Sequence, residues 1–235
     1  PMSANTSLHS NAFNFMGYLQ GGVDPRTGQY TVSISLLEAK VNALQGPDLP
    51  LALFFSPLNT LDSGYGLGWN LQLSQYDTAT QIISAHSGGS FRRTGSEGSR
   101  VLMREQKIDD FRLFDEGGNI YRLVHRSGLV ERLSKHAGSD LALPVEVYGD
   151  KGHLLKLEYE SFSDKDNKIH PRLTQIKDHT DKVVLRIDRQ SNRLDIHLNP
   201  NGSGNAKATY SLHMDSLKRV TSVVLPTTDQ ASWRY

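Results

Sequence analysis

The residues with the chemistry to act are scattered. Nine histidines are spread over 235 residues, and no pair stands at metal-ligand spacing beside a carboxylate helix. The sequence therefore assigns none of them a metal, and no cofactor is expected. Asp178-His179 falls in a turn sequence, where an aspartate hydrogen-bonds its own backbone. Asp164, Asp166 and Asn167 offer the oxygens of a calcium loop. The central glycine and the twelfth-position glutamate are missing, so the segment reads as a solvated loop. No G-x-S-x-G elbow supplies a nucleophilic serine, and the absence of cysteine excludes thiolate chemistry and disulfides.

Gly64, Gly66 and Gly68 alternate, but no Lys-Ser/Thr pair follows, so they do not make a phosphate cradle. They read as places where backbone packs closely or bends. Arg92, Arg93, Arg100 and Arg104, with Glu97 and Glu105 among them, read as a solvated face. The one candidate ligand site is an aromatic platform of Tyr65, Trp69 and Tyr76, since aromatic faces stack on the apolar faces of sugars. Trp69 shares a strand face with Leu71 and Leu73, which favours the core instead. No acid/base pair can be singled out, and the chain is expected not to be an enzyme.

Strands must position these groups. Alternation at period two dominates: Tyr30, Val32, Ile34 and Leu36; Leu49, Leu51, Leu53 and Phe55; Trp69, Leu71 and Leu73; Leu155, Leu157 and Tyr159; Leu194, Ile196 and Leu198. The pattern predicts an all-β protein of predominantly antiparallel sheets built from successive hairpins. Helix is expected in less than about a tenth of the chain, against a usual third, with Leu36 to Gln45 the one short candidate. Turn sequences punctuate the strands at Asp24 to Gly28, Asp115 to Asn119, Gly149 to Gly152 and Asn199 to Asn205. Asp115, Asp150, Asp178 and Asp215 each open a turn that leads into a strand-like run, at irregular spacing. Such units bury a face only by stacking on their neighbours.

The charge balance, 26 basic against 25 acidic residues, provides no field to attract nucleic acid or an anionic membrane. No apolar run approaches the ~18 residues of a membrane helix, and no secretory signal is visible at the N-terminus.

Three blocks carry a family resemblance. Gly22-Val23-Asp24-Pro25-Arg26-Thr27-Gly28-Gln29-Tyr30, Leu44-Gln45-Gly46-Pro47-Asp48-Leu49-Pro50-Leu51 and Asp62-Ser63-Gly64-Tyr65-Gly66-Leu67-Gly68-Trp69-Asn70-Leu71, followed by Tyr76-Asp77, occur in the order found near the start of Rhs/YD-repeat proteins. In that order the chain resembles the N-terminal part of this family, which includes the C-component of insecticidal toxin complexes. The family wraps long strands into a hollow shell around a C-terminal toxin, and its members are often labelled sugar-binding. This chain is too short to close such a shell and does not reach the family's self-cleavage site, so no catalytic residue is carried over.

The resemblance implies a non-enzymatic structural module of an Rhs/YD-repeat toxin shell, packing against further strands of the same or a partner chain to enclose or present a toxin. The alternative is a carbohydrate-binding β-domain. Residues 1–16 are expected to be a flexible segment, 17–143 an Rhs N-terminal-like β region and 144–235 degenerate YD-like units, with the boundary near Pro144. Expected partners are those strands and, in the alternative, carbohydrate, with neither nucleic acid nor a membrane span. Synthesis in the bacterial cytoplasm and export within a toxin assembly follow from the same resemblance. The final Ala231-Ser232-Trp233-Arg234-Tyr235 leads us to expect either continuation into later strands or self-association.

Overall fold

In the computed structural model, residues 19–23, 30–35, 49, 51–56, 58–104, 110–149, 154–198 and 208–225 are described. The helical candidate Leu36 to Gln45, the segment 1–16, the loops at Asp24 to Gly28 and Asn199 to Asn205, Asp150 and the last ten residues lie outside them. Every element described is a strand. A small sheet holds β1 (Leu19–Val23), β2 (Tyr30–Ser35), β3 (Ala52–Phe55) and β4 (Trp69–Leu71) in that order. The large sheet begins with β5 (Gln75–Asp77), β6 (Ile82–Ser84), β7 (Ser90–Glu97), β8 (Arg100–Met103), β9 (Phe111–Gly117), β10 (Ile120–His125), β11 (Val130–Lys135) and β12 (Leu141–Tyr148). It continues through β13 (Leu154–Ser163), β14 (Ile169–Asp178), β15 (Val183–Gln190), β16 (Arg193–Leu198), β17 (Ala208–Met214) and β18 (Val220–Val224). All pairings are antiparallel, and successive strands are neighbours almost throughout.

The large sheet closes on itself. β5 to β12 form a ring of eight strands, because β12 pairs with β11 along one edge and with β5 along the other. Eight strands enclose a space that side chains can fill, and here they do: Tyr76, Ile83, Val101, Phe111, Leu113, Tyr121, Leu123, Leu133 and Ala142 are buried together. Alternation accounts for the set, since Tyr121 and Leu123 lie two apart on β10, as Phe111 and Leu113 do on β9.

β12 is also where the sheet forks. Leu141 and Ala142 pair with β5, while Glu146, Val147 and Tyr148 pair with β13. Pro144, which has no N–H to give a ladder, sits between these two pairings, and its carbonyl accepts the Tyr159 hydroxyl at 2.5 Å. A bulge opposite β11 falls at the same point. The expected boundary at Pro144 therefore lies inside a strand that both halves share.

From the fork, β13 to β18 run as an open meander and share a second core with the small sheet. Ile34, Leu53 and Trp69 of the small sheet are buried with Val147, Leu155, Leu157, Leu173, Ile176, Leu185, Ile196, Tyr210 and Leu212. The segment linking β3 to β4 locks the two together. The φ values of Gly64, Gly66 and Gly68 are 109°, 101° and 81°, conformations natural only to glycine. A Cβ on Gly64 would lie 2.7 Å from Arg172 Cδ, and one on Gly68 would lie 2.8 Å from Phe55 and 3.0 Å from the Ser56 carbonyl. Close backbone packing, expected from their alternation, is thus their role. The N–H of Leu67 donates to the Lys218 carbonyl at 2.8 Å, tying this segment to the β17–β18 turn.

Three hairpins of the meander turn in one way. Asp164, Asp178 and Asp215 each accept, on Oδ1, the N–H groups of the second and fourth residues that follow, at 2.8–3.1 Å. The third residue, Asn167, Asp181 or Lys218, has φ of 60–64° and donates its N–H to the aspartate carbonyl. The same five-residue turn thus serves β13–β14, β14–β15 and β17–β18.

Candidate functional site

Besides the Arg93–Asp115 pair, which reaches the core residue Tyr76, the barrel core holds one buried polar cluster among the described residues. Ser74 precedes β5, His86 follows β6, His125 ends β10 and Glu131 is the second residue of β11. Strand alternation turns the last two inward. Leu123 and Glu131 are cross-strand partners, His125 shares the face of Leu123, and Glu131 shares the face of Leu133. The hairpin between them closes with the His125 N–H donating to the Leu129 carbonyl at 2.8 Å, around Gly128 with φ of 95°.

These four side chains converge on one carboxylate oxygen. Glu131 Oε2 accepts the Ser74 hydroxyl at 2.7 Å and the His125 Nε2–H at 2.7 Å, and His86 Nδ1 stands 3.3 Å from it. Ser74 Oγ lies 3.1 Å from the same His86 nitrogen and accepts the His86 backbone N–H at 2.9 Å. The two imidazole rings are tilted at 56° with centroids 4.7 Å apart. The Glu131 side chain is wholly buried, and those of His86 and His125 are 8% and 7% exposed.

Burial works against the charge on Glu131. The hydrogen bonds from His125, His86 and Ser74 outweigh it and lower the carboxyl to about 2, so the group is anionic at neutral pH. Its other oxygen, Oε1, is buried and has no hydrogen-bond partner among the described residues. All the donors thus crowd one oxygen of a buried anion and leave the other bare.

This is not a nucleophile–base–acid relay. A relay needs the serine on one ring nitrogen and the acid on the other. Here Ser74 and Glu131 both face Nδ1 of His86, and Ser74 has no exposed surface. His86 Nδ1, His125 Nε2 and a Glu131 oxygen do form a set of ligand atoms within 4.8 Å of one another. Two imidazoles and a carboxylate suit a divalent transition metal.

Sequence reasoning missed this cluster, because the residues come from both ends of the barrel segment. One signal was available: Glu131 and His125 occupy core-facing positions in otherwise alternating strands, where a polar residue calls for a partner.

The expected aromatic platform does not form. Tyr65, Trp69 and Tyr76 are 5%, 3% and 1% exposed. Tyr65 and Trp69 belong to the second core and Tyr76 to the barrel core. Their faces are occupied by protein: Trp69 by Phe55 at 5.4 Å, Tyr76 by Tyr121 at 4.4 Å and Tyr65 by the Arg189 guanidinium at 5.3 Å. Burial of Trp69 is what its place beside Leu71 and Leu73 predicts. Of the basic stretch, Arg92 and Arg104 are exposed while Arg93 pairs with Asp115 at 2.9 Å. The calcium-like loop turns its first carboxylate to its own backbone and to His170, 2.8 Å away.

No model of a known protein family matches the chain, and no curated protein matches it. Among solved structures it is similar to the N-terminal domain of the effector protein SpvB from Salmonella typhimurium strain LT2. The identity is 13% and the TM-score 0.44, over 78% of this chain and 88% of that one.

Proposed function

We propose that the chain is a non-enzymatic structural module of an Rhs/YD-repeat type of toxin shell, whose sheet packs against further β-strands to enclose or present a toxin. The observation that carries this reading is the recurrence of one aspartate-led turn at Asp164, Asp178 and Asp215. Each turn delivers the chain into the next antiparallel strand of one growing sheet. A unit that can be repeated in this way extends a wall strand by strand, each strand covering the previous edge. Among the described residues β18 pairs on one side, with β17, so its other edge offers N–H and C=O groups to a further strand.

The test is electron cryomicroscopy of the full native reading frame, alone and with any Rhs-type chain encoded beside it. The expected density has β18 hydrogen-bonded to a following strand in a continuous wall. An isolated particle whose β18 edge is bare, together with dose-dependent binding to one class on a glycan array, would replace this reading with the carbohydrate-binding one.

A further inference from the structure

We propose that His86, His125 and Glu131 bind one divalent transition-metal ion of the zinc class at the end of the barrel. Three features of the cluster lead there. The ligand atoms already face one another across a space no wider than 4.8 Å. Zinc bonds of about 2.0–2.2 Å to nitrogen and oxygen set tetrahedral ligands roughly 3.3 Å apart. The His86–Glu131 separation is 3.3 Å and the His125–Glu131 separation 2.7 Å, so the latter must open by roughly 0.6 Å, while the two imidazole nitrogens, which lie within 4.8 Å of each other, settle to the same spacing. Finally, Glu131 Oε1 is a buried carboxylate oxygen without a partner. A hydrogen-bonded cluster on Oε2 leaves Oε1 bare at a cost, whereas a cation held by both carboxylate oxygens engages it.

The chemistry of the set fits. Each imidazole coordinates as the neutral ring through the nitrogen that faces Glu131, with its proton on the other nitrogen: Nε2 of His86 and Nδ1 of His125. The Ser74 hydroxyl, 2.7 Å from Glu131 Oε2 and 3.1 Å from His86 Nδ1, stands where it orients the carboxylate or takes the fourth position. His86 leads directly into an exposed turn, Ser87, Gly88 and Gly89, and a Cβ on Gly88 would meet nothing within 4 Å. The bound ion would join the end of β6 to the β10–β11 hairpin, so its role is to fasten the barrel end.

The test uses the purified 235-residue chain, stripped with chelator and titrated with zinc chloride, with metal content and melting temperature as readouts. The expected result is one zinc per chain and a melting temperature that rises with zinc. Cobalt(II) in its place should give the visible absorption of a tetrahedral nitrogen–oxygen site. His86→Ala and Glu131→Gln should lose both the equimolar uptake and the thermal shift, whereas His213→Ala, outside the cluster, keeps them. Absence of saturable equimolar uptake by the folded chain overturns the proposal, as does uptake unchanged in His86→Ala. If Glu131→Gln fails to fold, His86→Ala, whose ring borders an exposed turn, and the cobalt spectrum decide between the two outcomes. The structural-module reading does not depend on either.

Discussion

The hydroxyl of Tyr65 accepts the backbone N–H of Leu173 at 2.9 Å, joining the glycine-rich segment before β4 to the middle of β14. Arg189 completes the junction. Its Nε donates to the Gly64 carbonyl at 3.0 Å, its Nη1 donates to the Leu173 carbonyl at 2.7 Å, and its guanidinium lies over the Tyr65 ring. Tyr65→Phe would keep the ring and strand the Leu173 N–H in the core. A buried donor left without a partner costs about 1–3 kcal/mol. The urea midpoint should fall accordingly with an unchanged slope; an unaltered midpoint would mean the hydroxyl carries no structural weight.

Gly68→Ala and Gly98→Ala separate conformation from crowding. Both glycines have positive φ, 81° and 59°. A Cβ at Gly68 meets Phe55, Ser56 and Asn59 atoms within 2.8–3.1 Å, and one at Gly98 meets nothing within 4 Å. Gly98→Ala should cost about 1–2 kcal/mol, the penalty of left-handed backbone for a residue with a side chain. Gly68→Ala should cost about 1–3 kcal/mol more for the clash. Equal losses in thermal unfolding would show that the β3–β4 segment yields.

Trp69→Ala removes a ring packed on Phe55 in the second core. A loss of about 3–5 kcal/mol is expected, as for other large aromatic truncations. In a Trp233→Phe background, which leaves Trp69 as the one tryptophan, intrinsic fluorescence gives an independent reading. With 3% of Trp69 exposed, acrylamide should quench it weakly and free sugars not at all; saturable quenching by one sugar would contradict the burial.

Acid should act through the carboxyls lowered on folding, Glu131 of the barrel cluster and those of the repeated turns among them. Burial opposes the charge on Asp178, but the Thr180 hydroxyl and N–H and the Lys182 N–H prevail and hold its carboxyl below the ordinary value. His170 does the same for Asp164, chiefly by its hydrogen bond. A carboxyl lowered on folding stabilises the fold above its unfolded value, near 3.9, and ceases to as pH falls through the folded value. Urea stability should therefore ease slightly from about pH 7 to 5, where burial lowers the His136 imidazole, and fall further below about pH 4 as the carboxyls protonate. Asp178→Ala should lose about 1–2 kcal/mol at pH 7 from its unpaired turn and show a shallower acid limb. An acid limb as steep as that of the parent chain would assign the acid sensitivity to other carboxyls.

The strands and the burial of Trp69 were legible because their signal is alternation between neighbours two residues apart, and the glycines because three alternating gaps in side chain mark close packing without naming what packs there, Arg172 in the case of Gly64. The turn at Asp178 was legible because an aspartate there hydrogen-bonds its own backbone. Asp164 has identical chemistry but its sequence reads as a solvated loop, because a second aspartate and two lysines follow it within four residues. The histidine cluster could not be found by spacing. Glu131 meets His125 across a hairpin, but it meets His86 and Ser74 only because β12 returns to β5 and closes a ring. That closure rests on two residue pairs separated by more than sixty positions, which no local periodicity encodes. At Pro144 the local signal and the strand coexist. Proline signals a break, yet here the missing N–H falls where one edge of β12 passes from β5 to β13 and needs no continuous ladder.

The fork at β12 also imposes an order of events in time. Seven of the eight barrel strands precede it, and β5 has only β6 beside it until Leu141 and Ala142 arrive. During synthesis, a nascent chain that ends before residue 141 holds an unsealed sheet with β5 and β11 both open. A single further strand then covers both edges at once and presents the template on which β13 begins. Ribosome stalling that holds β12 just inside and then just outside the exit tunnel should therefore bracket an abrupt gain in protease resistance. If resistance instead rises evenly as each strand emerges, the ring is assembled without waiting for its seam.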